Sequence, residues 1–357
     1  MFGNPLSKTR VMKTQVIQTP LEDELMRLLD DVANTRDRQL VGRVLGWDGR
    51  GGCSLQAAGE EAGVTRERAR QIYGVVVRRI RSRTLCPLLD EVLEFVDRRC
   101  NRAADDIQTE MQLKGLTRHR FRMQALVKTA EAFGRATEFV LETRHGSTFV
   151  VSDPGLVDAI LKAALRSSSR YGVQTVSEIC GAISLDPQSA SDHLLVRQVL
   201  RTRSDFRWLD ARKQCFWLSS VPRNPVVLGI KKLLYYAGPT SFADVHRAMG
   251  RVPRKRRAPI TYEALVGLCQ QAPFCRVKNG SVELVRSFRS GKLLSVAEAT
   301  VYRILRRNGG ELSVERFQSL CDTAGITRPT FWRIVLYSPL IFRSAPRIYR
   351  LMTQSMK

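Results

Sequence analysis

The stretch VTRERARQIYGVVVRRIRSR, residues 64–83, decides how the first part of the chain folds. Thr65 can cap a helix that begins at the next residue, because a threonine hydroxyl accepts a hydrogen bond from a free amide of the first turn. At about 100° per residue, the apolar side chains of this stretch fall on one side of a helix and the polar ones on the other. The apolar side consists of Ala69, Ile72, Val76 and Ile80. The pattern therefore predicts an amphipathic helix over residues 65–81.

The polar side of this helix carries groups that can read base edges in a DNA major groove. Residues 66–83 contain seven arginines and a single acidic residue, Glu67. Arginine pairs with guanine, glutamine pairs with adenine, and a carboxylate accepts a hydrogen bond from cytosine. The predicted base-reading residues are Thr65, Arg66, Glu67, Arg70 and Gln71, and the predicted phosphate-contacting residues of the helix are Arg68, Arg78, Arg79 and Arg81. The alternative is a helix that serves only in packing or in docking a partner.

The residues before this helix predict three further helices. Apolar residues from Leu21 to Val32 follow a helical period, and a second apolar group lies at residues 40–45. Ser54 can cap a short helix over residues 55–62. Glycines at 46, 49 and 63 indicate turns between these segments. A short helix, a turn and a basic helix in this order are typical of a helix-turn-helix.

Three segments of this region, DRQL at 37–40, GWDG at 46–49 and GVTRERARQI at 63–72, resemble region four of bacterial primary sigma factors. In that family, region four is a helix-turn-helix that reads the upstream promoter element. The resemblance implies that Arg66, Glu67, Arg70 and Gln71 touch bases. Tyr73 departs from the family pattern, and no other segment resembles the regions that melt the downstream promoter element or grip the polymerase core. A complete sigma factor is therefore not expected.

The rest of the chain is repetitive. Pairs of short apolar strand patterns recur, and their last apolar residues, Val151, Leu218, Val285 and Leu351, are 67, 67 and 66 residues apart. Helical patterns precede each pair, and three helices followed by a two-stranded wing are typical of a winged helix. We therefore predict a mainly α protein. Its predicted segments are a flexible basic N-terminus (1–19), the helix-turn-helix (20–83) and four tandem winged-helix repeats (84–153, 154–222, 223–290 and 291–357).

Basic residues are concentrated in the last two repeats. The chain has 58 basic and 34 acidic residues, a net charge of +24, and residues 223–290 alone carry 13 basic and 3 acidic residues. This excess favours a polyanionic partner, nucleic acid before a membrane surface. Between the prolines of the loop 253–259 lie four cations that we predict to contact phosphate, Arg254, Lys255, Arg256 and Arg257. Repeat one, with 10 basic and 11 acidic residues, suits a spacer or a dimerisation unit, which leaves a homo-oligomer open.

The sequence lacks the motifs of common catalytic and metal sites. It contains no P-loop, no G-x-G-x-x-G, no G-x-S-x-G and no H-E-x-x-H, none of the eight cysteines forms a C-x-x-C pair, and the four histidines are dispersed. We expect no enzyme activity, no metal and no other cofactor. No apolar run is long enough to span a bilayer, and the first residues lack the apolar stretch of a secretory signal. We therefore expect no membrane partner and a cytoplasmic, nucleoid-associated location.

These observations lead to one main hypothesis and two alternatives. The main hypothesis is a sequence-specific double-stranded DNA-binding protein, a bacterial transcription regulator that reads bases with helix 65–81 and grips phosphates with its basic C-terminal repeats. The first alternative is a DNA-recognition or adaptor subunit of a multi-protein assembly, such as an antiphage defence system or a mobile element. The second is a sigma-like factor that associates with RNA polymerase.

Overall fold

A computed structural model describes residues 19–83, 85–252, 260–285 and 293–352 of the chain. The predicted flexible N-terminus up to residue 18 and the predicted phosphate-contacting residues 254–257 lie outside this part. The chain divides into two compact units, Met1–Pro154 and Gly155–Lys357.

The first unit opens with the four helices that the sequence predicts. They are α1 (Leu21–Leu29), α2 (Thr35–Leu45), α3 (Leu55–Glu61) and α4 (Arg66–Arg83). The Ser54 hydroxyl accepts a hydrogen bond from the amide of Ala57 and so caps α3 as predicted. Gly46 ends α2 in the left-handed conformation, with φ at 78°, which a residue with a side chain adopts only at a cost.

The same unit contains the first repeat. Its elements are α5 (Pro87–Asp97), β1 (Arg102–Ala103), α6 (Ala104–Leu113), α7 (Met123–Ala132), β2 (Val140–Arg144) and β3 (Ser147–Val151). The predicted hairpin is confirmed, with Val140 opposite Val151. His145 and Gly146 connect its strands with φ values of 49° and 80°, as a two-residue hairpin turn with the right twist requires.

The second unit contains three more copies of this arrangement. The second repeat has α8 (Leu156–Tyr171), β4 (Gln174–Thr175), α9 (Val176–Ala182), α10 (Ala190–Arg201), β5 (Phe206–Trp208) and β6 (Cys215–Leu218). The third has α11 (Pro225–Ala237), β7 (Thr240–Ser241), α12 (Phe242–Met249), α13 (Tyr262–Gln271), β8 (Cys275–Lys278) and β9 (Ser281–Leu284). The fourth has α14 (Val296–Arg307), β10 (Glu311–Ser313), α15 (Val314–Thr323), α16 (Arg328–Tyr337), β11 (Ile341–Ala345) and β12 (Ile348–Leu351).

Each repeat has its own antiparallel sheet of three strands, with the second hairpin strand in the middle. The outer strand opposite the hairpin is a segment of two or three residues just before the second helix, and the sequence did not predict it. So short a segment has no alternating pattern of its own, and it is held by pairing with a distant strand. The described residues thus form 16 helices and four small sheets, a mainly α architecture compatible with winged-helix-like repeats.

A single hydrophobic core joins the four N-terminal helices to the first repeat. Trp47, which follows α2, is 2% exposed, and its indole N–H donates to the hydroxyl of Thr129 on α7 at 2.8 Å. The carboxylate of Glu22 on α1 is also buried, and it accepts hydrogen bonds from the amides of Arg118 and His119 at 2.9 and 3.1 Å. The predicted boundary at residues 83 and 84 therefore lies inside one packed core.

In the second unit, the third and fourth repeats share a core that also takes in part of the second. The rings of Tyr236 on α11 and Tyr302 on α14 lie 4.9 Å apart between centroids. Arg251, which follows α12, donates to the carbonyl oxygens of Val335 and Leu336 at the end of α16. A cation at this end of a helix is favourable, because the last carbonyls have no partner within the helix.

Candidate nucleic-acid interface

Contacts across the turn between α3 and α4 hold the two helices against each other. The guanidinium of Arg36 on α2 donates to the carbonyl oxygen of Ala62 at 2.6 Å, which ties the turn to α2. Gly59 lies where α3 approaches α4, and a Cβ atom at this position would lie only 2.9 Å from the carbonyl oxygen of Val64. A larger residue at 59 would push the helices apart, so this glycine sets the orientation of α4.

Helix α4 has one buried face and one exposed face, as the sequence predicts. Ala69, Ile72, Val76 and Ile80 are all at most 7% exposed. The five predicted base-reading residues are all exposed, and they lie on the cap and the first two turns of the helix: Thr65, Arg66, Glu67, Arg70 and Gln71. The Thr65 hydroxyl accepts from the amide of Arg68 at 3.2 Å, so the predicted cap is present. These residues, with Arg68, Gly74 and Arg78, are called the α4 surface below.

Within the α4 surface, Glu67 and Arg70 form an ion pair. Their side chains are 60% and 65% exposed, and the guanidinium donates to both carboxylate oxygens at 2.6 and 2.9 Å. The hydrogen bond from Arg70 lowers the pKa of Glu67 below its usual value, so the carboxylate is ionised at neutral pH. An exposed pair of this kind contributes little to stability, because solvent screens the attraction. Arg70 can therefore leave Glu67 for another acceptor at little cost.

Two other arginines of the α4 surface have no acceptor in the described part of the chain. Neither Arg66 nor Arg78 forms a hydrogen bond or an ion pair there, whereas Arg68 donates to the side-chain oxygen of Gln71 at 3.3 Å. Arg66 and Arg68 also lie in the first turn of α4, near the positive end of the helix dipole. A cation there is unfavourable by about 0.3–1 kcal/mol. Arg66 thus bears this cost without an acceptor in the described residues.

The remaining two predicted phosphate-contacting arginines of α4 form hydrogen bonds with the backbone of other segments. The guanidinium of Arg79 donates to the carbonyl oxygen of Val32 at 2.8 Å. The guanidinium of Arg81 donates to the carbonyl oxygen of Glu131, in the last turn of α7, at 2.7 Å. Both keep their charge, because a carbonyl does not neutralise it, but both position α4 on its neighbours. The sequence did not indicate this role, since the acceptors are backbone atoms far along the chain.

The third helix of a winged helix is the one that usually enters DNA, and in repeat one this helix is covered. Helix α7 packs against the four N-terminal helices through the bonds from Trp47 and Arg81 described above. Six of its ten residues are buried. Its exposed residues, Gln124, Lys128 and Glu131, carry no net charge, in agreement with the absence of excess positive charge in repeat one.

In repeat three, the third helix is covered by the wing of repeat two. The carboxylate of Glu263 on α13 accepts from the amide of Ala211 at 2.7 Å, and the side-chain amide of Gln271 donates to the carbonyl oxygen of Trp208 at 2.8 Å. Between them, Gly267 lies so close that a Cβ atom would be 2.1 Å from the carbonyl oxygen of Leu209. Helix α13 therefore cannot enter a groove in this arrangement. Phosphate contact by repeat three would fall to residues 253–259, which lie outside the described residues.

Replacing Gly267 with alanine should destabilise the second unit by about 1–3 kcal/mol, the usual cost of forcing a methyl group into a packed contact. Thermal unfolding followed by circular dichroism measures this change. Gly74→Ala is the matched control, because a Cβ atom at Gly74 would meet nothing within 4 Å. That variant should be more stable by up to about 1 kcal/mol, the helix preference of alanine over glycine. Equal behaviour of the two variants would mean that the wing does not rest on α13.

The described residues contain no cluster of metal-binding side chains. No group of three or more histidine, cysteine, aspartate or glutamate side chains in this part of the chain could hold a metal ion. Burial raises the pKa of the Cys100, Cys180 and Cys321 thiols to about 11, which disfavours the reactive thiolate. Among the helices of the described ranges, none is long and apolar enough to cross a membrane.

No protein-family model and no curated protein matches the sequence. The chain's own residues therefore carry the functional proposal.

Proposed function

We propose that the chain is a sequence-specific double-stranded DNA-binding protein that reads bases with the α4 surface. The observation that carries this proposal is the set of exposed arginines on the first turns of α4, next to an exposed glutamate and glutamine. This combination can address guanine, cytosine and adenine edges in a major groove. The resemblance to region four of sigma factors supports the same surface and suggests transcription regulation as the process.

The energetics of α4 also support an external partner. Arg66 and Arg68 lie at the end of the helix where cations are least favourable, and Arg66 has no acceptor in the described residues. Gly74 lies on the same surface, and no packing contact requires a glycine there. A glycine inside a helix costs about 1 kcal/mol relative to alanine. A duplex would provide phosphate and base acceptors for the arginines, and the bare backbone at Gly74 would allow its close approach.

A second candidate function, a DNA-recognition or adaptor subunit of a larger assembly, is favoured by the covered helices α7 and α13. In both repeats the usual DNA-contacting helix is used to bind another part of the same chain. Modules that bind protein in this way suit a scaffold that holds α4 in a defined position. The two candidates share α4 as the DNA-binding element and differ in the role of the repeats.

The test of DNA binding is selection of a duplex from a randomised pool by the full chain, followed by titration of salt. Each phosphate that a protein neutralises contributes about −0.9 to the slope of log affinity against log salt concentration. We expect a slope of several units, measured by fluorescence anisotropy with a labelled duplex from the selection. An affinity that does not change with salt would exclude the nucleic-acid function.

Changing Arg254, Lys255, Arg256 and Arg257 to alanine should weaken the binding of all duplex sequences by similar factors. The salt slope should become shallower by about 0.9 for each phosphate that the variant no longer neutralises. The comparison needs the selected duplex and a scrambled duplex of the same length, both measured at several salt concentrations. A variant that alters the ranking of the two duplexes would instead make this loop a base-reading element.

A further inference from the structure

Helix α16 of the fourth repeat has a free face at the positions where α13 of the third repeat is covered. Their N-terminal caps, Thr261 and Thr327, are 66 residues apart. The last apolar residues of the two wings, Val285 and Leu351, have the same spacing. At this spacing, the three residues of α13 that receive the wing of repeat two correspond to Pro329, Arg333 and Tyr337. All three are exposed. The fourth repeat thus leaves uncovered the helix face that the wing of repeat two covers in the third repeat.

A groove continues from this face towards α11. Its volume is about 410 Å³, and its lining includes Pro225, Leu228, Val252, Arg333, Tyr337 and Pro339. Of its lining residues, Leu228 and Tyr337 are 39% and 48% exposed. Large apolar side chains that cluster at a groove are typical of surfaces that bind protein. The surface of α4, by contrast, consists almost entirely of charged and polar groups.

The charges of the groove are arranged for a carboxylate. At its base, the buried Glu298 is already satisfied, since it pairs with Lys232 at 2.6 Å and accepts from the hydroxyl of Ser338 at 3.0 Å. At its rim, Arg333 has no hydrogen-bond or ion-pair partner in the described residues. The unsatisfied group of the groove is therefore a guanidinium, beside apolar surface.

We propose that this groove, formed by α16 and α11, docks an acidic segment of a partner protein. A side chain of the size of leucine would lie between Leu228 and Tyr337, and a neighbouring carboxylate would accept hydrogen bonds from Arg333. Because Arg333 stands where α13 has Gly267, the backbone of the segment would lie farther from α16 than residues 208–211 lie from α13. The inference goes beyond DNA binding and does not depend on α4, although it supplies the contact that an adaptor subunit requires.

The test uses the full chain and a phage-displayed library of random 12-residue peptides. Peptides are selected on the wild type and counter-selected on a double variant, Leu228→Asp with Arg333→Glu. Both positions are exposed, and aspartate in the first turn of α11 is favourable for a helix, so the double variant should remain folded. We expect enriched peptides that combine an apolar residue with aspartate or glutamate. A labelled peptide of this kind should bind the wild type at least tenfold more tightly than the double variant.

Arg316→Glu is the control for net charge, because Arg316 is exposed on α15, has no side-chain partner in the described residues and does not line the groove. This variant should bind the peptide like the wild type. The single variant Arg333→Glu, which has the same change of charge, is measured beside it. The proposal is overturned if nothing is enriched, or if Arg316→Glu weakens peptide binding as much as Arg333→Glu. It is also overturned if Arg333→Glu has no effect on peptides but lowers the affinity for a labelled duplex more than Arg316→Glu does, since the surface would then bind DNA.

Discussion

Replacing Arg66 and Arg70 by alanine should lower the affinity for the selected duplex by about 1–3 kcal/mol for each side chain. Arg70 would have to exchange Glu67 for a base, and its weak exposed pairing makes that exchange cheap. Arg66 has no acceptor to give up in the described residues. The affinity for a scrambled duplex should fall much less, because only base contacts distinguish the two duplexes. Fluorescence anisotropy with both duplexes at one salt concentration measures the difference.

The chain offers a matched control for this experiment in Arg27. This residue is 70% exposed on α1 and pairs with Glu24, three residues before it, at 2.8 Å, as Arg70 pairs with Glu67. Arg27→Ala removes the same charge and the same kind of ion pair at a place outside the α4 surface. It should leave both affinities almost unchanged. If Arg27→Ala and Arg70→Ala have the same effect, the α4 surface has no special role and the proposed base readout is wrong.

The local patterns of the sequence were enough to predict most helices and all four hairpins. The faces of α4 follow directly from the spacing of Ala69, Ile72, Val76 and Ile80, because burial of an apolar stripe needs only the helical period. The hairpins follow from turn residues such as Asn279 and Gly280, whose φ values of 49° and 72° suit a two-residue turn. Features that depend on neighbouring residues could therefore be read from the chain.

The sequence could not predict which segments the third helices of the repeats contact, because these contacts join residues that are distant along the chain. Nothing near Glu263 or Gln271 indicates that they bind the backbone of residues 208–211. Two signals were present in hindsight. Helix α13 contains no lysine or arginine, which argues against contact with phosphates, and Gly267 interrupts it where close approach of another backbone requires a glycine. The charge of α13 itself therefore indicates the role of this helix better than the net charge of repeat three does.

The basic helix α4 and the third helices of the repeats differ in what their faces contact. Repeats one and three use their third helices to bind other parts of their own units, whereas α4 and α16 keep exposed faces of different chemistry. Arginines with glutamate and glutamine make the face of α4 suited to nucleic acid. Apolar and aromatic groups with one free arginine make the groove of α16 suited to protein. A chain built in this way could connect a DNA sequence to another protein, which joins the two candidate functions.

Replacing Trp47 by alanine should destabilise the first unit by about 3–5 kcal/mol, the usual cost of truncating a buried tryptophan. The indole is 2% exposed, contacts the ring of Phe133 with 6.3 Å between centroids, and donates to Thr129. Since Trp47 joins the N-terminal helices to α7, its removal should weaken both parts. Denaturant unfolding gives the total change, and native-state hydrogen exchange shows where it occurs. Slowly exchanging amides of α4 and α7 should lose protection by the same free energy.

Trp47→Phe separates the packing of the ring from its hydrogen bond. Phenylalanine fills most of the same space but leaves the Thr129 hydroxyl without the indole donor, although this hydroxyl still donates to the carbonyl oxygen of Ala125 at 2.8 Å. The destabilisation should be smaller, about 1–3 kcal/mol. If α4 loses protection in Trp47→Ala while α7 keeps that of the wild type, the two parts fold independently. The position of α4 would then not depend on repeat one, and its base-reading surface would be carried by a separate small domain.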